Sequence, residues 1–145
     1  MMIPQTIFID SNIWLYRFLA DQDQNPQEDA RKRKIAVSLT NLNNIVVSTQ
    51  VINETCSVLR KKVNFSETQI IQLIEEFEQQ CQVINVTTAI LKRASQLRMN
   101  YHLSFWDGLI VASALSGNAN ILYSEDMQDG LIVEHQLTII NPFKI

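Results

Sequence analysis

The sequence predicts an α/β fold: a three-layer α/β/α sandwich around a central parallel sheet of about five strands. Three observations carry that reading. Short apolar runs of strand length recur along the chain, apolar residues at helical spacing fill the intervals between them, and three glycines and three prolines in 145 residues leave little linker material. The elements therefore follow one another closely, and residues 1–145 are expected to form a single domain with a core of its own.

The first run, Thr6 to Ile9, ends in Asp10 and leads into a helix carrying Trp14. Ile35, Leu39 and Leu42 mark one face of a second helix, and Ile45 to Val47 form the second run. Helical faces follow at Ile52, Cys56 and Leu59 and at Ile70, Leu73, Ile74 and Phe77. Val83 to Val86 is the third run, and Ile90, Ala94 and Leu97 mark the next helix. From Ser104 to Ser116 the chain is apolar nearly all round, which predicts a buried helix; Trp14 and Trp106 are of a type that can stack on bases, but the apolar spacing that follows each favours core packing. Asn120 to Tyr123 and Leu137 to Ile140 complete the set of runs. Continuous rather than alternating hydrophobicity means that both faces of each strand are covered, as in a parallel sheet flanked by helices.

Composition narrows the function classes. A net charge of −3 argues against a broad basic surface that would hold nucleic acid by charge alone. No apolar run is long enough to span a bilayer and the N-terminal MMIPQTIFID does not read as a signal peptide, so a soluble, cytoplasmic protein is expected. Cys56 and Cys81 have neither the number nor the spacing of a disulfide framework or zinc site. His102 and His135 read as surface or loop residues.

Most of the 15 acids, such as Glu67, Glu75, Glu76 and Glu78, fall where a solvated helix face is expected. Others do not. Asp10 closes the first run, where a parallel strand delivers its last residue to the sheet edge that carries sites in open α/β folds, although an N-cap is an equally good role for it. Glu54 falls in the first turns of a helix after the second run, where the helix dipole also favours it. Asp107 stands fourth in Ser104-Phe105-Trp106-Asp107, the pattern of a capping box with Asp in place of Glu. Three more acids crowd Ser124-Glu125-Asp126-Met127-Gln128-Asp129-Gly130, just past the run that ends at Tyr123. Acids from four places gathered at one sheet edge repel unless a cation lies among them, and a hard ion such as Mg²⁺ or Mn²⁺ suits carboxylate ligands better than zinc does.

At these four places the chain resembles the PIN-domain family, and within it the VapC-like toxins of bacterial toxin-antitoxin pairs. The matching pieces are Ile9-Asp10-Ser11-Asn12, Ser48-Thr49 leading to Glu54, Asp107-Gly108-Leu109-Ile110-Val111-Ala112, and the Ser124 to Asp129 loop. The resemblance implies an Mg²⁺- or Mn²⁺-dependent endoribonuclease in which Asp10, Glu54 and Asp107 hold the metal, with Asp126 or Asp129 as the fourth acid. Many relatives carry an aromatic residue after the later acid where this chain has Gly130. Distance along the chain favours Asp126, three residues past Tyr123, over Asp129, whereas the family resemblance favours Asp129, since relatives often have Asn at the place of Asp126 and keep an acid at that of Asp129.

The chemistry agrees with that assignment, because divalent ions can activate water, neutralise phosphate oxygens and stabilise a leaving group without a histidine base. Ser11, Asn12 and Ser124 flank the acids and are suited to support them by hydrogen bonds, as well as to turn or capping roles. Arg17, one or two helical turns beyond Asp10, is the candidate phosphate contact. The runs Arg31 to Lys34 and Arg60 to Lys62 read mainly as solvated helix surface. The resemblance also implies an RNA substrate, a homodimer and a cognate antitoxin protein, with no membrane partner. Two other readings stay open: a PIN-like nuclease acting in RNA processing or on structured DNA outside a toxin pair, and a binding module that has kept the fold and lost catalysis.

Overall fold

The computed structural model describes residues 5–144. The strands are β1 (Ile7–Ile9), β2 (Ile45–Ser48), β3 (Gln82–Ile84), β4 (Ile121–Tyr123), β5 (Ile132–Val133) and β6 (Leu137–Ile140). They form one sheet in the order β3-β2-β1-β4-β6-β5. Five strands run parallel, as expected, and the two-residue β5 pairs antiparallel with β6 at one edge. That edge hairpin was not foreseen, because two residues are too few to show a period.

The helices are α1 (Ser11–Phe18), α2 (Pro26–Thr40), α3 (Thr49–Val63), α4 (Glu67–Gln80), α5 (Thr88–Asn100) and α6 (Phe105–Ser116). Each starts from a side-chain cap. Asp10, Asn25, Ser48, Ser66, Thr87 and Ser104 all accept hydrogen bonds from backbone N–H groups of the helix they precede, and Ser66 forms a full capping box with Gln69. Leu42, expected on the α2 face, lies beyond the end of that helix at Thr40 and is 44% exposed.

Phe8, Ile9, Val46, Val47, Leu122, Leu137 and Ile139 from the strands are fully buried or nearly so, and Ile13, Val51, Leu59, Leu97 and Val111 reach them from the helices. Among the described residues, no helix is long and apolar enough to cross a membrane. The end of α6 lies so close to β2 that a Cβ on Gly117 would meet Val46 Cγ1 at 2.6 Å, which ties the helix to the sheet at a point only glycine allows.

The strand order also has a reversal point. From β1 the chain crosses to β2 on one side, whereas β4 leads on to β6 on the other, so the sequence progression reverses between adjacent β1 and β4. The carboxyl ends of two such strands leave a crevice, and open α/β sheets bind ligands there.

Candidate active site

Asp10 leaves β1 at that crevice and Ser124 leaves β4 beside it. The Asp10 N–H continues the ladder to the Tyr123 carbonyl at 3.0 Å, which fixes its backbone to the sheet. Its carboxylate does two things at once. Oδ1 accepts from the Ser11 N–H at 2.8 Å, and Oδ2 accepts from the Ser124 hydroxyl at 3.0 Å. The carboxylate therefore caps α1 while its second oxygen stays tied to the residue that leaves β4.

Glu54 comes to the same place from the second turn of α3, started by the buried cap Ser48. Its Oε2 accepts from the Ser11 hydroxyl at 2.8 Å and its Oε1 from Gln50 Nε2 at 2.8 Å. Gln50, one helical turn earlier, escaped the sequence reading, although its i,i+4 spacing from Glu54 is a usable signal. Asp107 sits in the first turn of α6, half-buried, with its N–H bonded to Ser104 Oγ at 3.1 Å. The reciprocal bond of a capping box is absent there among the described residues, leaving the carboxylate free of that duty.

Burial pushes the Asp10 carboxyl up to about 6, against the lowering effect of its two hydrogen bonds, and the charges of Glu54 and Asp107 raise it further. Three of the expected acids thus share one electrostatic field. Among the described residues, no ion pair involves any of the three.

The last loop divides its acids. Asp126 Oδ2 accepts from Asn12 Nδ2 at 3.0 Å, so Asn12 links this acid to the start of α1. Asp129 turns elsewhere, its Oδ1 accepting from the Asn141 N–H at 2.7 Å just beyond β6. Glu125, between Ser124 and Asp126, is held by Lys32 Nζ at 2.6 Å and by the Tyr16 hydroxyl at 3.1 Å. Lys32 also bonds Asp23 at 2.9 Å. These partners hold the Lys32 ammonium well above its ordinary range, while burial and the Glu125 charge push the Tyr16 phenol up to about 12.

Two expectations fail here. Arg17 is not brought to the carboxylates: it lies seven residues from Asp10, about 10 Å along α1, and donates to Thr40 Oγ1 at 2.9 Å and Asn41 Oδ1 at 2.7 Å at the end of α2. The basic run of α2 is not simply solvated either, since Arg31, Lys32 and Arg33 each pair with an acid and only Lys34 is exposed. His102 and His135 are exposed, as expected.

Among the described residues, no three acidic, histidine or cysteine side chains converge closely enough to ligate one ion directly. The donor set still fits a hard cation that keeps much of its water. Mg²⁺ ordinarily takes one or two carboxylates and retains several waters, and all the donors here are oxygens. Asn12 Oδ1 is buried without a hydrogen-bond partner, an acceptor suited to a hydrated cation.

Residues 7–128 match the family model of the PIN domain. No curated protein sequence matches the chain. Among solved structures, VapC20 of Mycobacterium tuberculosis, a sarcin-ricin loop cleaving toxin, is similar at 18% identity and a TM-score of 0.60 over 83% of this chain and 90% of that one. A chain of a toxin-antitoxin complex from Klebsiella pneumoniae is 18% identical with a TM-score of 0.64, over 97% of this chain and all of the other. VapBC2 from Rickettsia felis, bound to a DNA fragment from its promoter, contributes a chain 17% identical with a TM-score of 0.52 over 83% and 88%. Identities this low establish a shared fold, while the family match spans β1 through the loop that follows β4 and takes in every acid of the crevice: the chain belongs to the PIN-domain family.

Proposed function

We propose that this protein is a divalent-metal-dependent endoribonuclease and the toxin of a toxin-antitoxin pair. The observation that carries the reading is that the charges of Asp10, Glu54 and Asp107 act on one another at the β1/β4 crevice, with Asp10 and Glu54 supported by neutral donors and none of the three paired with a cation among the described residues. PIN domains are generally metal-dependent nucleases, and the similar chains from the three bacteria belong to toxins or toxin-antitoxin complexes. RNA as substrate and an antitoxin as partner belong to this proposal, as does a homodimer.

In this reading Asp10, Glu54 and Asp107 hold Mg²⁺ or Mn²⁺, with Asp126 as the fourth acid, because Asp126 and not Asp129 is tied to α1 beside Asp10. The bound ion supplies a Lewis acid that activates water and stabilises the departing oxygen. The chain's own residues do the rest. Ser124 and the Ser11 N–H orient the Asp10 carboxylate, while the Ser11 hydroxyl and Gln50 fix both oxygens of Glu54. Asn12 holds Asp126 through its Nδ2, while its own Oδ1 is buried without a partner.

Incubation of total cellular RNA with Mg²⁺, with Mn²⁺ and with EDTA, followed by mapping of the new ends, tests class, cofactor and substrate together. Discrete new ends in the metal arms alone are expected. Absence of cleavage with either ion sinks the enzyme reading, and cleavage undiminished by EDTA sinks the metal. A gene for a small DNA-binding protein beside this one separates a toxin from an RNA-processing enzyme.

A further inference from the structure

α6 is buried continuously from Gly108 to Leu115, yet its first two residues, Phe105 and Trp106, are 63% and 58% exposed. Trp106 was expected in the core; the apolar pattern counts residue types and does not see that the first turn projects past the layer the rest of the helix fills. Large exposed aromatic surface is unusual enough to require an explanation.

The surface is also built. The two rings meet edge to face with centroids 5.4 Å apart. The Arg98 guanidinium lies 4.2 Å from the centroid of the Phe105 ring, anchored by a bond from Nη1 to the Phe105 carbonyl at 2.9 Å and from Nη2 to Ser95 Oγ at 3.0 Å. It can lie across the start of α6 because residue 108 is glycine: a Cβ there would meet Arg98 Cγ at 2.7 Å and Nη1 at 3.0 Å. Arginine occupies one side of Phe105, so the indole is left as open surface in a fixed, cationic setting. Trp106 directly precedes Asp107, so this surface and one carboxylate of the crevice share a single helical turn.

We propose that Phe105 and Trp106, backed by Arg98, form a stacking platform for a nucleobase of single-stranded RNA next to the phosphate held at the acids. The proposal rests on the ribonuclease reading and extends it to substrate form. A base in a duplex has both faces covered, whereas an unpaired one offers a π-face to an aromatic ring of any sequence context. The guanidinium adds a positive charge over the helical turn that also carries an acid of the crevice, matching a ligand that is both aromatic and anionic.

Trp106 provides its own readout, since the other tryptophan, Trp14, is buried against Phe77. Fluorescence is titrated, with Ca²⁺ in place of Mg²⁺, using a short oligoribonucleotide, the matched duplex and an abasic ribose-phosphate oligomer of equal length. The single strand is expected to quench, the duplex and abasic oligomer much less, and Trp106→Phe to remove the response. In steady-state cleavage, Trp106→Ala is expected to raise KM about tenfold or more with a smaller change in kcat, and Trp106→Phe to restore most of it. Equal quenching by the abasic oligomer, or an unaltered KM in Trp106→Ala, overturns the platform. So does a shift of Trp106→Ala from dimer to monomer without quenching of the wild type by any oligomer, which assigns the patch to a second copy of the chain. Quenching by the single strand in a protein that cuts no RNA with any divalent ion supports the platform and removes the nuclease reading instead.

Discussion

Asp10 and Glu125 are neighbours in the fold, each next to Ser124 in space or in sequence, and they are treated in opposite ways. Glu125 is met by an ammonium and by a phenol, and the same ammonium also pairs with Asp23. Asp29 repeats the pattern a little further on: it is buried, accepts from the Asp21 and Asp23 N–H groups, and pairs with Arg33 at 2.6 Å. Asp10, part-buried at the sheet edge, receives only neutral donors and faces two more acids. Carboxylates with a cation built in fasten loops; those left without one retain a demand for positive charge that a ligand from solution can meet.

The contrast breaks most clearly at Asp10. Asp10→Asn is expected to abolish cleavage while preserving the fold, since the amide keeps the cap and loses the charge. Discontinuous gel assays beside circular dichroism decide it: near-wild-type activity at low Mg²⁺ removes Asp10 from the metal set, and an unfolded variant reduces it to a cap.

Where a lysine is built in, the expected effect falls on stability. Lys32→Met leaves Glu125 and Asp23 without their cation and is expected to lower Tm by several degrees, while metal affinity changes far less than in Asp10→Asn. An unchanged melting curve shows that solvent screens this network too well for it to fasten anything.

The pH dependence of the metal-free protein sharpens the same point. The folded state raises the Asp10 pKa from 3.8 to about 6, so the protonated form is favoured by folding. That contribution is fully present below about pH 4 and is lost as the pH rises through 6, amounting to at most about 3 kcal/mol. Subtracting the Asp10→Asn stability curve from that of the wild type in EDTA should isolate a decline across this window. A flat difference means that Asp10 is solvated in the free protein.

The smallest expected effects concern support. Ser124→Ala removes the hydroxyl that bonds Asp10 and is expected to cut activity about tenfold, through weaker metal binding. In the adjoining loop Asp126→Ala should cost more activity than Asp129→Ala. Inactive Asp129→Ala beside a fully active Asp126→Ala reverses that assignment.

The acids were legible because each follows an apolar run or opens an apolar helix, where an unpaired charge is conspicuous. What the sequence hid were pairings across long intervals. Nothing near Lys32 announces Glu125, 93 residues away, and the run of four basic residues looks like ordinary helix surface until the loop after β4 folds over it. Arg17 misled because helical spacing measures distance along α1 and not the direction in which the guanidinium finds partners. Trp106 misled for a related reason, since residue type alone does not tell whether a first turn is covered.

The outer strands of the sheet bear on how this protein behaves when crowded. One margin is closed by β3, three residues long, and the other by β5, two residues long and turned antiparallel. Unpaired backbone groups along a long, flat margin recruit strands from other chains and seed aggregates. Margins this brief offer almost no template for sheet-to-sheet fusion between copies.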